Sequence, residues 1–172
     1  RWATHGLPNE VNAHPHISAN KKIAVVHNGI IENFTVLKKN LEKEGYVFRS
    51  QSDTEVIPYL IEKYYDGDFL VAIHKTLSEL EGAFSLAIIT EYEPEKIFVA
   101  KNGSPLIIGL GKDENFVSSD INSIIHHTRD VVYLKDKQYG VLTKNEFKVF
   151  NGNHQEQELI IDHIDWDSSL QD

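Results

Sequence analysis

The hydrophobic period changes at Ala83, and that change limits the fold more than any other feature of the sequence. Before it, apolar residues recur at helical spacing. Ile31, Phe34, Leu37 and Leu41 predict one helix, closed by Gly45. Val56, Ile57, Leu60, Ile61 and Tyr64 predict a second, and Leu70, Ile73, Leu77 and Leu80 a third with Asp68 as its N-cap. After Ala83 come short apolar runs parted by turn residues. Ala83–Thr90, Lys96–Lys101, Leu106–Leu110, Phe116–Ser118, Val131–Leu134, Gly140–Leu142 and Phe147–Phe150 read as strands, with Asn151-Gly152-Asn153 as a hairpin turn. Helices and strands in blocks, rather than in strict alternation, predict an α+β fold with largely antiparallel sheets.

The remaining segments read less sharply. Residues 1–22 are polar and read as loop; Ile23–Val26 is a strand running into a turn at His27-Asn28-Gly29. Tyr46–Arg49 looks like a short strand. Ser52 and Glu55 have the spacing of a capping box, in which the two side chains each satisfy a backbone N–H at a helix start. Asp120–His127 reads as a short helix, and the acidic stretch after His163 as the start of a linker. The expected boundaries are a domain over 1–163 and linker over 164–172. A chain of 172 residues has the size of one domain with a real core.

Charge and cysteine usage narrow the function. Lys and Arg number 17 against 26 Asp and Glu, a net charge of −9, which disfavours nucleic acid or an anionic membrane as partner. No apolar run approaches the roughly 20 residues of a membrane span. There is no Cys, so disulfides, thiolate metal sites and thiol catalysis have no source within this chain. A Cys-free acidic domain fits the cytoplasm. There is also no Met, so Arg1 is not a natural translation start.

Four places combine polar side chains with turn chemistry. Arg1-Trp2-Ala3-Thr4-His5-Gly6 offers a guanidinium fork suited to a carboxylate, though a surface Arg would look the same. Asn28 and Gly29 could aim a side-chain amide and a backbone N–H at one point, the pattern of an oxyanion hole; Asn-Gly is also a common turn pair. Asp53 at a helix start could hold an ammonium group or merely complement the helix dipole. His5, His14 and His16 lack the spacing of a metal site, and none is expected; His27 is expected to be a hydrogen-bonded core histidine. No phosphate-binding glycine motif or serine nucleophile elbow is present.

In order along the chain, Arg1–Gly6, Asn12-Ala13-His14-Pro15-His16, His27-Asn28-Gly29-Ile30-Ile31-Glu32-Asn33 and Ser52-Asp53-Thr54-Glu55-Val56 resemble the glutaminase domains of the glutamine–fructose-6-phosphate amidotransferases. Gly103–Gly111 and Ser118-Ser119-Asp120 extend the resemblance over nearly the whole chain. It implies a class II glutamine amidotransferase with the N-terminal-nucleophile fold, two antiparallel sheets between helical layers, here lacking its amino-terminal segment. It implies hydrolysis of L-glutamine to glutamate and transfer of ammonia to fructose 6-phosphate on a separate isomerase domain, giving glucosamine 6-phosphate at the entry to amino-sugar synthesis. No cofactor is implied, and the parent enzyme is expected to be a cytoplasmic homo-oligomer.

The family's nucleophile is an N-terminal Cys whose own α-amine is the base. Ordinary pKa values of ~8.5 and ~7.7–8.0 make that proton transfer nearly balanced. By resemblance Arg1 holds the glutamine carboxylate and Asp53 its ammonium group. Asn28 and Gly29 stabilise the oxyanion, Thr4 and His5 add contacts, and Trp2 is an apolar lid. Without a Cys this chain is expected to be inactive alone, and a glutamine-binding regulatory module is the alternative.

Overall fold

The computed structural model describes residues 5–165. Two antiparallel sheets stack face to face, and three helices cover the outer face of the larger one. Its strands are β1 (His16–Ile17), β2 (Ile23–Ile31), β3 (Gly82–Thr90) and β4 (Ile97–Asn102). The smaller sheet holds β5 (Ile107–Leu110), β6 (Asn115–Ser118) and β7 (Asp130–Tyr133). The chain then returns to the larger sheet as β8 (Gln138–Leu142), β9 (Phe147–Phe150) and β10 (Glu156–Gln157), and ends with β11 (Asp162–His163) beside β7. The strand orders are β1-β2-β3-β4-β8-β9-β10 and β11-β7-β5-β6. The α+β reading with two antiparallel sheets holds. The outermost layer, over the smaller sheet, is thin: the expected helix Asp120–His127 is a 3₁₀ turn over Ile121–Ser123, from which Ile124 packs on Ile107 and Val131.

Strand alternation divides the larger sheet into two faces. Ile23, Val25, Ile31, Phe84, Leu86, Ile88, Phe98 and Ala100 point toward helices α1 (Phe34–Lys43), α2 (Val56–Tyr64) and α3 (Phe69–Glu79). There they meet Leu37, Leu41, Ile57, Leu60, Phe69 and Ile73 in the main core, each fully buried aliphatic side chain contributing roughly 1.5–3 kcal/mol. On the other face Val99, Leu142, Phe147 and Val149 pack against Leu106, Ile108, Val132 and Leu134 around the smaller sheet. The smaller sheet covers only the β4-β8-β9 half of that face. Over β2 and β3, Val26, Ile30 and Ile89 are 43%, 45% and 55% exposed.

Several sequence expectations shift. β2 does not stop at Val26; it runs through His27-Asn28-Gly29 to Ile31 and pairs with β3 along its whole length, from Ile23↔Thr90 to Ile31↔Gly82. The Asn-Gly turn signal lost to nine consecutive ladder partners, and Ile31 belongs to this strand rather than to α1. Tyr46–Arg49 is not a strand: Tyr46 N donates to Leu41 O and Arg49 N to Glu55 Oε1, and the Phe48 and Tyr46 rings pack against Tyr59. His16–Ile17, within the supposed loop, pairs with Val25 and Ala24. Asp68 does cap α3, accepting from Val71 N at 3.2 Å. The turn after β9 is a hairpin, as the pairing Phe150↔Glu156 requires.

Candidate functional site

The site is built on one edge of β2. In an antiparallel strand, successive N–H groups point to opposite edges. Glu91 N donates to Lys22 O and Glu32 N to Glu81 O, which turns the even-numbered backbone groups of β2 toward β3. The odd-numbered N–H groups therefore face the opposite edge, which β1 covers only at Val25 and Ala24. Beyond β1, His27 N donates to His14 Nδ1 at 3.3 Å and Ile31 N to Asp53 Oδ2 at 2.7 Å. The Gly29 N–H lies between them on the same edge, and among the described residues no acceptor meets it.

Only glycine fits there. Gly29 has φ of +131°, and a Cβ would lie 2.1 Å from the Ala83 carbonyl oxygen. The adjacent Asn28 is exposed, and alternation carries its side chain onto the face turned toward the smaller sheet. It stands at the wall of a groove of about 400 Å³ between the sheets, with Val26, Ser85, Leu106, Val117 and Ser118.

Asp53 reaches the edge because of how α2 begins. Ser52 Oγ accepts from Thr54 N at 3.2 Å and starts a 3₁₀ turn over Asp53–Glu55 that runs into the helix. The carboxylate of Asp53, 2% exposed, uses Oδ2 to hold Ile31 N, and its Oδ1 lies 3.5 Å from His5 Nδ1. The neighbouring Thr54 hydroxyl meets His27 Nδ1 at 2.9 Å, so His27 is the hydrogen-bonded core histidine expected from sequence. The capping box is only half formed. Glu55 turns away from Ser52 and accepts instead from Arg49 N and Ser50 N, each at 2.8 Å, and from the Ser50 hydroxyl. It fastens the segment leading into Asp53, a role that its position as a helix-start acid did not suggest.

A second polar tie was invisible in sequence. Asn12, 6% exposed, donates to Leu7 O at 2.8 Å and to Gln51 Oε1 at 3.3 Å, and accepts from Gln51 N at 2.8 Å. It thereby joins the loop carrying His5 to the loop carrying Asp53. Gly6 between them has φ of +81°, and a Cβ would lie 2.6 Å from Asn12 Nδ2. His5 also packs edge-on against Phe34, with ring centroids 4.7 Å apart. His16 is buried beneath this loop; burial lowers its pKa below the usual value, against the opposing pull of Glu55 and Asp53.

Of the residues singled out from sequence, the structure gathers His5, Asp53 and Gly29 at one strand edge, with Asn28 beside them. Arg1, Trp2 and Thr4 lie outside the described residues. Among the described residues, no group of three or more His, Asp or Glu could hold a metal ion, and no helix is long and apolar enough to cross a membrane.

The model of the glutamine amidotransferase domain family matches residues 5–126, which includes this whole edge. The chain belongs to that family. The resemblance carried by the four ordered motifs is also borne out. Glutamine–fructose-6-phosphate aminotransferase [isomerizing] of Clostridium acetobutylicum is 44% identical over 169 residues, 98% of this chain and 28% of its own length. The protein of the same name from Aquifex aeolicus is 51% identical over 151 residues, 88% of the chain and 26% of its own length. The chain thus spans little more than a quarter of these relatives. Among solved structures, the glutamine phosphoribosylpyrophosphate amidotransferase of B. subtilis superposes with a TM-score of 0.74 at 28% identity, covering 88% of this chain and 33% of that one.

Proposed function

We propose that this family member is the glutamine-handling part of an enzyme that hydrolyses L-glutamine to glutamate. That enzyme passes the ammonia to fructose 6-phosphate, bound elsewhere, to form glucosamine 6-phosphate. The observation that carries the reading is the edge of β2, where an available Gly29 N–H sits between two occupied ones and beside a buried carboxylate. In this reading Asp53 takes the α-ammonium of glutamine on Oδ1, the oxygen not committed to Ile31 N. The Gly29 N–H and the Asn28 amide donate to the carbonyl oxygen as it becomes an oxyanion. Such donors act in the transition state, each worth ~2.7–4 kcal/mol.

His5 contacts the substrate from the adjoining loop, and Thr4 adds a further contact. Arg1 grips the α-carboxylate, so that opposite charges at its two ends fix the substrate's direction, and Trp2 excludes water. The attacking thiol, with the α-amine that deprotonates it, has to come from outside these 172 residues, since the chain contains no Cys. The same reading places the parent protein in the cytoplasm as a homo-oligomer, and the boundary of this domain near His163.

Glutamate release separates the two halves of the proposal. The full-length protein should release glutamate from glutamine, and purified chain 1–172 should release none. Turnover by the purified chain would refute the external nucleophile; a full-length protein inert toward glutamine would refute the function.

A further inference from the structure

A second cavity lies on the helical face of the larger sheet. It encloses about 330 Å³, at the lower end of the range of small-molecule sites. Its apolar floor is Leu77, Leu80 and Phe84; its polar groups are His74 from α3, Asn102 from β4 and Lys137 from the connection before β8. Phe84 pairs with Gly29 across the ladder, so its wall adjoins the candidate site through one strand pair.

Backbone strain marks this cavity. Lys137 and His154 have φ of +65° and +60°, a region that residues with a side chain seldom adopt. Glycine would relieve the strain at His154, yet the imidazole is put to use. Its Nδ1 hydrogen-bonds the buried Tyr139 hydroxyl, and its ring lies 5.2 Å from that of His74 and 5.5 Å from that of Phe150. Tyr139, a lining residue, stacks on His74 at 5.7 Å. Gly152, in the same hairpin turn, has no side chain to fill the space beside Lys137. The Lys137 ammonium has no carboxylate partner among the described residues, in a chain whose net charge is −9.

We propose that this cavity binds a small organic anion. An apolar body rests on Leu77, Leu80 and Phe84, and its carboxylate or phosphate meets Lys137, His74 and the Asn102 amide. The titratable groups lining it are His74 on α3, Tyr139 on β8 and Lys137; His154, on the hairpin turn, touches His74 and Tyr139 without lining the cavity itself. Burial, with Asp68 at the start of α3 adding to it, pushes the Tyr139 hydroxyl up to about 12, so Tyr139 stays neutral. Burial and the nearby His154 lower the His74 pKa, so His74 is largely neutral near pH 7 in the empty cavity. An anion draws a proton onto it, and binding tightens as pH falls from about 8 to about 6.

The test is titration of the 172-residue protein with benzoate, phenyl phosphate and neutral benzyl alcohol, followed by the imidazole NMR signals of His74 and His154. At least one anion should give saturable shifts, about tenfold stronger than benzyl alcohol and stronger at the lower pH; which anion wins distinguishes a carboxylate from a phosphate ligand. Lys137→Gln should weaken it about tenfold. His154→Gly, which removes ring and strain together, should keep the fold and weaken binding. No saturable shift with either anion, equal binding of benzyl alcohol, or undiminished binding by both variants overturns the proposal.

Discussion

Gly29 carries two constraints that pull the same way. Its φ of +131° disfavours any side chain, and the Ala83 carbonyl fills the place of a Cβ. Gly29→Ala should therefore destabilise the fold by about 3 kcal/mol or more, read from denaturant midpoints. Asn28 is different. It is exposed, and Asn28→Ala should lower the kcat of the full-length enzyme by about 10²–10³-fold with little change in KM. A parallel rise in KM with unchanged kcat would count against an oxyanion role. Asn-Gly reads as a turn in sequence because both residues favour one. The β3 partners that hold them extended are more than fifty residues away, and local propensity carries no sign of them. Asp53 was legible as a helix-start carboxylate, but its hold on Ile31 N was not, for the same reason.

At the scale of elements, the period change at Ala83 marked where the helices end, because each α-helix buries one face against the sheet, but it gave no sign of β1 and β2, which precede it. Tertiary partners set what the pattern missed. Glu55 matches a capping box by spacing, yet its carboxylate is spent on Arg49 and Ser50. Glu55→Ala should cost on the order of 3 kcal/mol, since it strands three donors, and should also raise KM for glutamine by loosening the approach to Asp53. It is thus no neutral control for Asp53, whereas the exposed Glu42 on α1 is one. β1 adds a pH effect. The His16 pKa is depressed by burial, so the unfolded chain takes up a proton more readily than the folded one. The stability this represents is present above the ordinary value of 6.5 and is lost as pH falls through the lowered folded value. Unfolding in urea should show a steeper loss below pH 6.5 for the wild type than for His16→Gln; equal slopes would exclude His16 as the source.

Across the whole molecule, the two sheets cover each other unequally. The smaller one shields the β4-β8-β9 half of the larger, and Val26, Ile30 and Ile89 stay exposed beside the Asn28 groove. A strip of this kind favours association. The 172-residue chain should self-associate in a concentration-dependent way, and Ile89→Thr should weaken this, as sedimentation would report. The same asymmetry leaves the site reachable from the open half of the sandwich, with Asp53 on the β2 edge and Asn28 facing the groove. In the proposed function this edge holds glutamine by its charge. The most direct measurement is the KM for glutamine of the full-length enzyme carrying Asp53→Asn, beside Glu42→Gln. The expected result is a rise of about tenfold or more for Asp53→Asn and none for Glu42→Gln. An unchanged KM in a folded Asp53→Asn enzyme would contradict it.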